Sequence, residues 1–312
     1  MSKVSVIGAG NVGATAVYYV AEKGIAEVVM VDVVEGLPQG KALDFLHAAP
    51  VRRYNVKITG TNDFRAIEGS DVVVLTAGIA RKPGMDRMDL LKTNVSIAKN
   101  AAQAIANYAP NAVVVVVTNP LDVIAMVVLR ETGFALKKVV GMAGVLDATR
   151  FRYFIAEELG VWPGDVEAMV LGGHGDSMVP LTRYTSVAGF PITELLDGAT
   201  IERLVERTRK GGGEIVNYLK SGSAYYAPGA SAAKMVEAIL KDERQLVAAS
   251  AYLRGQYGHS DIFLGVPVLL GRNGVEEIIE LELTESERRA LEESAKAVHE
   301  GVELLESFYK PG

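Results

Sequence analysis

Three side chains in the second half of the sequence have types and spacings that could move a proton and bind an anion. His174 lies in LGGHGDS, where flanking glycines would let a ligand approach the imidazole, and histidine exchanges protons near neutral pH. Asp147 and Arg150 lie in LDATR, three residues apart, so on a helix both would face the same space. Asp147 could orient His174 and stabilise its cationic form, and Arg150 could bind a carboxylate through two parallel hydrogen bonds.

Each of these side chains also has an ordinary structural interpretation. A single glycine-flanked histidine such as His174 is more often a loop or core residue. The aspartate and arginine of LDATR could be a helix N-cap followed by a solvated arginine. A metal site at His174 and Asp176 lacks an evident third ligand. Among the other histidines, His47 and His299 lie in helical patterns, whereas His259 lies in a turn-like segment and stays a candidate.

A glycine-rich turn near the N terminus could bind a pyrophosphate group. GAGNVG at 8–13 matches G-x-G-x-x-G, follows the apolar run KVSVI and opens a helical pattern. Gly8 permits a tight turn, Gly10 lets a pyrophosphate approach the backbone, and Gly13 lets helix and strand pack closely. The N–H groups at the helix start would face the phosphates. Asp32 ends the next apolar run, nineteen residues after Gly13, where a carboxylate binds adenosine ribose.

The residues that follow Asp32 favour NAD over NADP, because Val33 and Val34 offer no cation for a 2′-phosphate. A simpler interpretation, in which the glycines only make a turn and the aspartate only ends a strand, is disfavoured by the joint spacing. The NAD site that this motif predicts comprises Gly8, Ala9, Gly10, Asn11, Val12, Gly13 and Asp32.

The elements that would position these residues are indicated by apolar runs in the first half of the chain. KVSVI, EVVMV, DVVVL, AVVVVV and LKKVVGM are continuous apolar runs, which are typical of parallel strands covered by helices on both faces. Helical patterns separate them, the longest from about Asp86 to Tyr108. This alternation predicts an α/β fold with a Rossmann doubly wound parallel sheet.

The pattern changes near residue 144, which predicts two domains. We expect an NAD-binding Rossmann domain at 1–144 and a C-terminal α+β domain at 145–312, which contains the candidate substrate-binding and catalytic side chains of Asp147, Arg150 and His174. LDATRFRYFIAEELG predicts a helix with Asp147 as its N-cap.

Further elements are predicted after that helix. Short strand candidates such as EAMVL precede helical patterns from about 200 to 253, interrupted near the glycines at 211–213. The strand-like runs DIFLGVPVLL and EEIIELEL follow. TESE at 284–287 matches a capping box at the start of the last helix.

Composition argues against several classes of protein. The chain has 312 residues, a formal charge of −6 and a pI near 5.4, which argue against a broad nucleic-acid or anionic-membrane surface. The absence of cysteine excludes a disulfide framework, a thiolate metal site and a cysteine nucleophile. The first residues lack the features of a signal peptide and the apolar runs are too short to span a bilayer, so we expect a soluble cytoplasmic protein.

Taken together, the motifs resemble those of the lactate/malate dehydrogenase family over essentially the whole chain. GAGNVG, VMVD, TAGIARKPGMDR, VTNP, GVLDATR, GGHGDS and YYAPGAS occur in the order and rough spacing of that family. The resemblance implies an NAD-dependent enzyme in which His174 is the proton donor and acceptor. It implies that Asp147 is the carboxylate partner of this histidine and that Arg150 binds the 1-carboxylate of the substrate.

The same resemblance assigns roles to residues that would otherwise be unremarkable. It implies that Arg87 polarises the reacting carbonyl, that Asn119 bonds both substrate and cofactor, and that Asn94 lines the cofactor site. In isolation, Asn119 and its proline would indicate a strand-ending turn and Asn94 a solvated helix position. The remaining cofactor contacts implied are Val117 and Thr118.

A cluster of positive charge in this acidic chain is explained by the same resemblance. Arg81, Lys82 and Arg87 lie in TAGIARKPGMDRMDLL, a segment that in this family closes over the substrate. The position of Arg81 is glutamine in the lactate dehydrogenases and arginine in the malate dehydrogenases of the family. Because a buried carboxylate needs a cation, Arg81 implies a substrate with a second carboxylate, the dicarboxylates malate and oxaloacetate.

Two other functions stay open at this point. Loop residues beyond Arg81 also shape specificity, so lactate or another 2-hydroxy acid is an alternative substrate. The chain could instead be an NAD-sensing binding module, although Asp147, Arg150 and His174 would then have no role. Family members similar to this chain are dimers or tetramers, so we expect a homo-oligomer, with the tetramer as the resemblance-based expectation, and a reaction of the tricarboxylic acid cycle.

Overall fold

The structure is a computed structural model that describes residues 1–79 and 87–309, with the side chain of Arg87 excepted. The chain divides into two compact units. The first comprises Met1–Met142, Tyr225–Gln245 and Leu269–Glu277, and the second comprises Ala143–Ala224, Leu246–Val268 and the residues from Ile278 onward. The division at residue 144 that the sequence predicts stays a prediction.

The helices and strands are as follows. The strands are β1 Lys3–Ile7, β2 Glu27–Val31, β3 Ile58–Thr61, β4 Val72–Leu75, β5 Val113–Val116, β6 Val139–Gly141, β7 Val166–Leu171, β8 Val179–Val187, β9 Phe190–Pro191, β10 Gln245–Arg254, β11 Ser260–Gly271 and β12 Gly274–Ile278. The helices are α1 Asn11–Glu22, α2 Leu37–Arg52, α3 Arg87–Tyr108, α4 Leu121–Thr132, α5 Ala143–Leu159, α6 Ile192–Leu195, α7 Gly198–Leu219, α8 Tyr226–Lys241 and α9 Glu285–Glu306.

A parallel sheet forms the centre of the first unit. Its strands pair in the order β3-β2-β1-β4-β5-β6, all parallel. Every residue of β4 and β5 is buried, as expected for strands covered on both faces. This order confirms the predicted Rossmann doubly wound sheet. The strand order reverses between β1 and β4, and ligands of such sheets bind beyond the carboxyl ends of the strands at that switch point.

Helix α8 explains why a late segment of the chain belongs to the first unit. It packs against α1, where Gly229 lies so close that an added Cβ would be 2.6 Å from Thr15 Cγ2. Lys23 on the α1 side and Lys241 on α8 both form ion pairs with Glu237. Close backbone approach and the ion pair of Lys23 with Glu237 therefore hold residues 225–245 against α1, whereas the pair of Lys241 with Glu237 lies within α8.

The second unit combines an antiparallel sheet with helices. Strands β7, β8 and β9 pair antiparallel, and α5 packs against both β7 and α7. An apolar cluster on these elements forms a core that includes Phe151, Phe154, Ile155, Val166, Ile201 and Leu204. This arrangement places the LDATR segment on a helix that is packed against this core.

Several predicted elements are confirmed and others are wrong. The capping box is confirmed, because Thr284 accepts from the Glu287 N–H and the Glu287 side chain accepts from the Thr284 N–H. The N-cap assignment of Asp147 is wrong, because α5 begins at Ala143 and Asp147 lies inside the helix. The strand β3 was not predicted, because ITGT is short and only its first residue is buried.

The sequence predicted helical structure from about 200 to 253 with an interruption near 211–213. The structure differs from this prediction in two places. Helix α7 continues through Gly211–Gly213, although each glycine costs about 1 kcal/mol relative to alanine. Its apolar face, which includes Ile201 and Leu204, is buried and offsets that cost. Residues 245–254 form strand β10, which is hydrogen-bonded to β11. Pairing between these strands therefore overrides the helical propensity of this alanine-containing run.

Candidate active site

The glycine loop of the first unit joins the end of β1 to the start of α1. Gly8 has φ of +109°, and an added Cβ would lie 2.6 Å from the Ala77 backbone nitrogen. At Gly13 an added Cβ would lie 1.9 Å from the Gly8 carbonyl oxygen. Both glycines are therefore required by the backbone, one for its dihedral angle and both for close packing.

The start of α1 fits the pyrophosphate of a dinucleotide. Gly10 is the N-cap, no side chain in the described part of the chain caps the helix, and no acidic residue lies in its first turn. An added Cβ at Gly10 would meet nothing within 4 Å, and Gly10 and Asn11 are exposed. Backbone N–H groups at an uncapped, exposed helix start attract phosphate oxygens. Val12, which follows, is half-buried.

Asp32 lies just beyond β2 and contacts the glycine loop. Its Oδ2 accepts from the Ala9 N–H at 2.6 Å and its Oδ1 accepts from the Val34 N–H at 2.9 Å. Lys41 Nζ donates to the Ala9 carbonyl at 2.7 Å. Burial lowers the pKa of Lys41, and the nearby Asp32 carboxylate opposes that shift. The backbone of Ala9 is thus hydrogen-bonded to a carboxylate at its N–H and to a lysine at its carbonyl.

Lys41 is a cofactor-site candidate that the sequence did not predict. The two residues directly after Asp32, where a cation for a 2′-phosphate is expected, are both valines. Lys41 lies on the helix that follows the same strand, in its second turn. A lysine at the start of that helix was the available signal, because this end of the helix returns toward the strand's carboxyl end.

The predicted residues after β4 and β5 form a hydrogen-bonded cluster. Asn94 is 1% exposed; its Oδ1 accepts from the Ile79 N–H at 2.8 Å, and its Nδ2 donates to the Asn119 carbonyl at 2.8 Å. Thr118 Oγ1 donates to the Ala77 carbonyl at 2.8 Å, and Val117 is buried. Asn94 is therefore not a solvated helix position. It joins the segment after β4 to the segment after β5.

Asn119 differs from its neighbours in this cluster. Asn119 is exposed, whereas its backbone carbonyl accepts a hydrogen bond from Asn94 Nδ2. The backbone at the carboxyl end of β5 is thus fixed while the amide side chain stays accessible. Its predicted contacts with substrate and cofactor stay predictions.

In the second unit, Asp147 brings together the imidazole and the guanidinium that the sequence singled out. His174 Nδ1 lies 2.9 Å from Asp147 Oδ2, and Arg150 Nη1 lies 3.5 Å from Asp147 Oδ1. Asp147 is 2% exposed, and the side chains of Arg150 and His174 are 14% and 16% exposed. A buried carboxylate bonded to Nδ1 orients the ring and stabilises its protonated form.

Within residues 1–79 and 87–309, the guanidinium of Arg150 has few hydrogen-bond partners. Burial lowers the pKa of Arg150, and the Asp147 carboxylate opposes this shift. Its Nε is buried without a hydrogen-bond partner among the described residues, and its contact with Asp147 is long. Because arginine stays charged and a buried donor without an acceptor is costly, the group suits an incoming carboxylate.

The loop that carries His174 is anchored by residues far away in sequence. Gly172 has φ of +88° and exchanges two backbone hydrogen bonds with Gly265, at 2.8 and 3.0 Å. Ser294 Oγ accepts from the Gly173 N–H at 2.8 Å. Gly265 and Ser294 were not predicted from the sequence, because nothing local connects them to LGGHGDS.

The other histidines lack this environment. His47 is exposed on α2. Burial lowers the pKa of His259, as does the nearby His299, while Glu292 opposes the shift. Within residues 1–79 and 87–309, no group of three or more His, Asp or Glu side chains could hold a metal ion. In the same part of the chain, no helix is long and apolar enough to cross a membrane.

Two predicted site residues cannot be placed. Arg81 and the side chain of Arg87 lie outside the described residues, although α3 begins at Arg87. Their roles in reading the far carboxylate and in polarising the carbonyl stay predictions.

Two family models match the chain. Residues 2–141 match the lactate/malate dehydrogenase NAD binding domain, and residues 144–309 match the lactate/malate dehydrogenase alpha/beta C-terminal domain. The chain is 57% identical over 306 residues to the malate dehydrogenase of Methanosarcina mazei, which covers 98% of this chain and 100% of that protein.

Solved structures give the same similarity at the level of the fold. The malate dehydrogenase of Picrophilus torridus in its apo form is 44% identical with a TM-score of 0.96, covering 99% of this chain and 98% of that one. The lactate dehydrogenase of Cryptosporidium parvum, complexed with lactic acid and NAD, is also 44% identical, with a TM-score of 0.94 and 98% coverage of each chain.

Proposed function

This chain belongs to the lactate/malate dehydrogenase family and is an enzyme, and from that premise we propose that it catalyses the NAD-dependent interconversion of (S)-malate and oxaloacetate. The observation that carries the proposal is the buried Asp147 carboxylate that contacts both His174 and Arg150. One of these partners can exchange a proton and the other can hold a carboxylate. A 2-hydroxy acid requires both.

NAD⁺ bound at the glycine loop would supply the acceptor for the hydride that leaves C2 of malate. The chain's own contribution is acid–base chemistry and binding. Neutral His174 takes the proton of the substrate hydroxyl at Nε2 during oxidation, and protonated His174 returns it to the carbonyl oxygen during reduction. Asp147 stabilises the imidazolium formed in between. Arg150 holds the 1-carboxylate through its guanidinium.

The dicarboxylate specificity is proposed from Arg81. Oxaloacetate carries a second carboxylate, and burying it without a cation would cost several kcal/mol. Pyruvate would instead leave a buried arginine unpaired, so a strong preference for oxaloacetate is expected. The name of the Methanosarcina mazei relative supports this assignment. The similarity to a lactate dehydrogenase complexed with lactic acid keeps lactate as the second candidate.

We also propose that Arg87 polarises the reacting carbonyl, and that Asn119 contacts substrate and cofactor. The cofactor is proposed to be NAD rather than NADP, because Asp32 would repel a 2′-phosphate. A cytoplasmic homo-oligomer, dimer or tetramer, and a place in the tricarboxylic acid cycle remain proposals drawn from the resemblance. An NAD-sensing module is disfavoured, because it has no use for the buried Asp147 cluster.

The test is a set of initial rates with NADH and NADPH and a panel of 2-keto acids that includes oxaloacetate and pyruvate. The expected result is the highest kcat/KM for oxaloacetate with NADH. Faster turnover of pyruvate would assign the chain to the lactate dehydrogenases of the family. Binding of NADH without turnover of any 2-keto acid would instead favour a sensor.

A further inference from the structure

Helix α7 carries three consecutive glycines, Gly211, Gly212 and Gly213, in its interior. Glycine is the weakest helix former after proline, so a run of three disfavours the helix locally. The helix nevertheless continues through this run without interruption. Something other than helix stability must therefore account for the absence of side chains at these positions.

The three positions differ in what a side chain would meet. An added Cβ at Gly211 would lie 3.3 Å from Arg150 Cδ and 3.7 Å from Phe154 Cε2. An added Cβ at Gly212 would lie 3.6 Å from Arg150 Nη2 and 3.7 Å from Nη1. Among the residues that the structure describes, an added Cβ at Gly213 would meet nothing within 4 Å. Gly211 is buried, Gly212 is half-buried and Gly213 is exposed.

The side chain of Arg150 therefore lies along the bare backbone of α7. Its aliphatic part faces Gly211 and its guanidinium faces Gly212. Hydrogen bonds do little to fix this group, because its contact with Asp147 is 3.5 Å long and Nε has no partner among the described residues. The position of the guanidinium is thus set mainly by packing between α5 and α7.

We propose that Gly211 and Gly212 are positioning residues, which leave the clearance that Arg150 needs to present its guanidinium to the 1-carboxylate of the substrate. This inference rests on the proposed function, which gives Arg150 that role. At 3.3 Å, a methyl group at 211 is closer than most Cβ contacts, so Arg150 must move by a few tenths of an ångström. At 212 the contact is ordinary and the displacement smaller.

A different explanation would be that the glycines make α7 flexible. Flexibility depends on the backbone of all three residues and not on what faces them. It therefore predicts similar effects at the three positions, including Gly213. Clearance for Arg150 predicts that substitution has the largest effect at Gly211, a smaller effect at Gly212 and no effect at Gly213.

The experiment compares Gly211→Ala, Gly212→Ala and Gly213→Ala, which change helix propensity equally. For Gly211→Ala we expect KM for oxaloacetate to rise about five- to tenfold, with KM for NADH unchanged, since misplacement of a binding group by about 1 Å can cost about 100-fold. For Gly212→Ala we expect about a twofold rise, and Gly213→Ala should match the wild type. The melting temperature of Gly213→Ala should rise, which shows that the helix itself is improved by alanine.

Each outcome has a distinct meaning. Equal losses in all three variants would support flexibility and overturn the inference, as would a Gly211→Ala enzyme with unchanged KM. Crystal structures of Gly211→Ala and Gly213→Ala test the same clearance without any substrate, because only the first should displace Arg150. A wild-type protein that turns over no 2-keto acid would defeat the proposed function, and an Arg150 side chain unmoved in Gly211→Ala crystals would defeat this inference separately.

Discussion

Ser294 Oγ accepts a hydrogen bond from the backbone N–H of Gly173 at 2.8 Å, although the two residues are 121 positions apart. Ser294 is 1% exposed and lies on α9. Gly173 directly precedes His174, so this bond fixes the backbone that carries the proposed acid–base group. The reciprocal bonds of Gly172 with Gly265 hold the same turn from β11.

Ser294→Ala is expected to misplace His174 without removing it. The buried Gly173 N–H would lose its acceptor, at a cost of about 1–3 kcal/mol. We expect kcat for oxaloacetate reduction to fall about tenfold or more, while the Kd for NADH stays unchanged. Ser286→Ala, at an exposed position near the start of the same helix, is the control. A lower melting temperature with unchanged kcat would show that Ser294 only stabilises the fold.

His174→Asn removes the proton donor and acceptor while keeping a polar group of similar size. We expect kcat in both directions to fall by about 10²- to 10⁴-fold, the range supplied by general acid–base catalysis. NADH affinity, measured by titration, should be retained. His47→Asn changes an exposed histidine on α2 and should behave as the wild type. Near-normal turnover of His174→Asn would remove this residue from the mechanism.

Asp147→Asn is expected to shift the pH dependence of the reaction. Oxaloacetate reduction needs protonated His174, so its rate falls as pH rises through the pKa of this residue, whereas malate oxidation rises. Removing the negative charge 2.9 Å from Nδ1 disfavours the protonated imidazole, so the pH profiles of both reaction directions should move to lower pH. The measurement is kcat/KM against pH in both directions. Unchanged pH profiles of kcat/KM would mean that Asp147 does not act on the ionisation of His174.

The sequence predicted the Rossmann sheet well because its signals are local. Continuous apolar runs marked β1 and β2 to the residue, and the glycine spacing marked the start of α1. The antiparallel second unit was harder, since strand β10 depends on pairing with β11 and not on its own propensity.

The candidate site could be predicted only in part. The side chains of Asp147, Arg150 and His174 could be chosen by type, and family resemblance brought them together before the structure did. Residues that act by contact alone could not be found in this way. Ser294 and Gly265 contact the His174 loop, and Gly211 contacts Arg150, only because the chain is folded.

Asp32 and Lys41 should together decide between NADH and NADPH. The Asp32 carboxylate would repel a 2′-phosphate, so we expect the wild type to prefer NADH by about 100-fold or more in kcat/KM, since like charges in contact cost several kcal/mol. Asp32→Asn keeps an acceptor for the Ala9 N–H and leaves Lys41 unopposed, so use of NADPH should improve about tenfold.

The double variant Asp32→Asn with Lys41→Gln is the matched control for this prediction. If Lys41 supplies the cation for the 2′-phosphate, the gain in NADPH use should disappear in the double variant. Lys41→Gln alone should not improve NADPH use. A gain that persists without Lys41 would show that only the repulsion by Asp32 matters.

Arg81→Gln should exchange dicarboxylate preference for use of pyruvate. The substitution removes the cation proposed to pair with the second carboxylate, so oxaloacetate would be bound with that charge unpaired, at a cost of several kcal/mol. We expect kcat/KM for oxaloacetate to fall about 10³-fold and that for pyruvate to rise, measured with NADH under the same conditions. Lys82→Gln removes the adjacent charge and serves as the control, since Lys82 is expected to stay solvated. If both variants weaken oxaloacetate turnover alike, the positive charge of the segment acts as a general attraction for anions, and residue 81 has no specific role in recognising the far carboxylate.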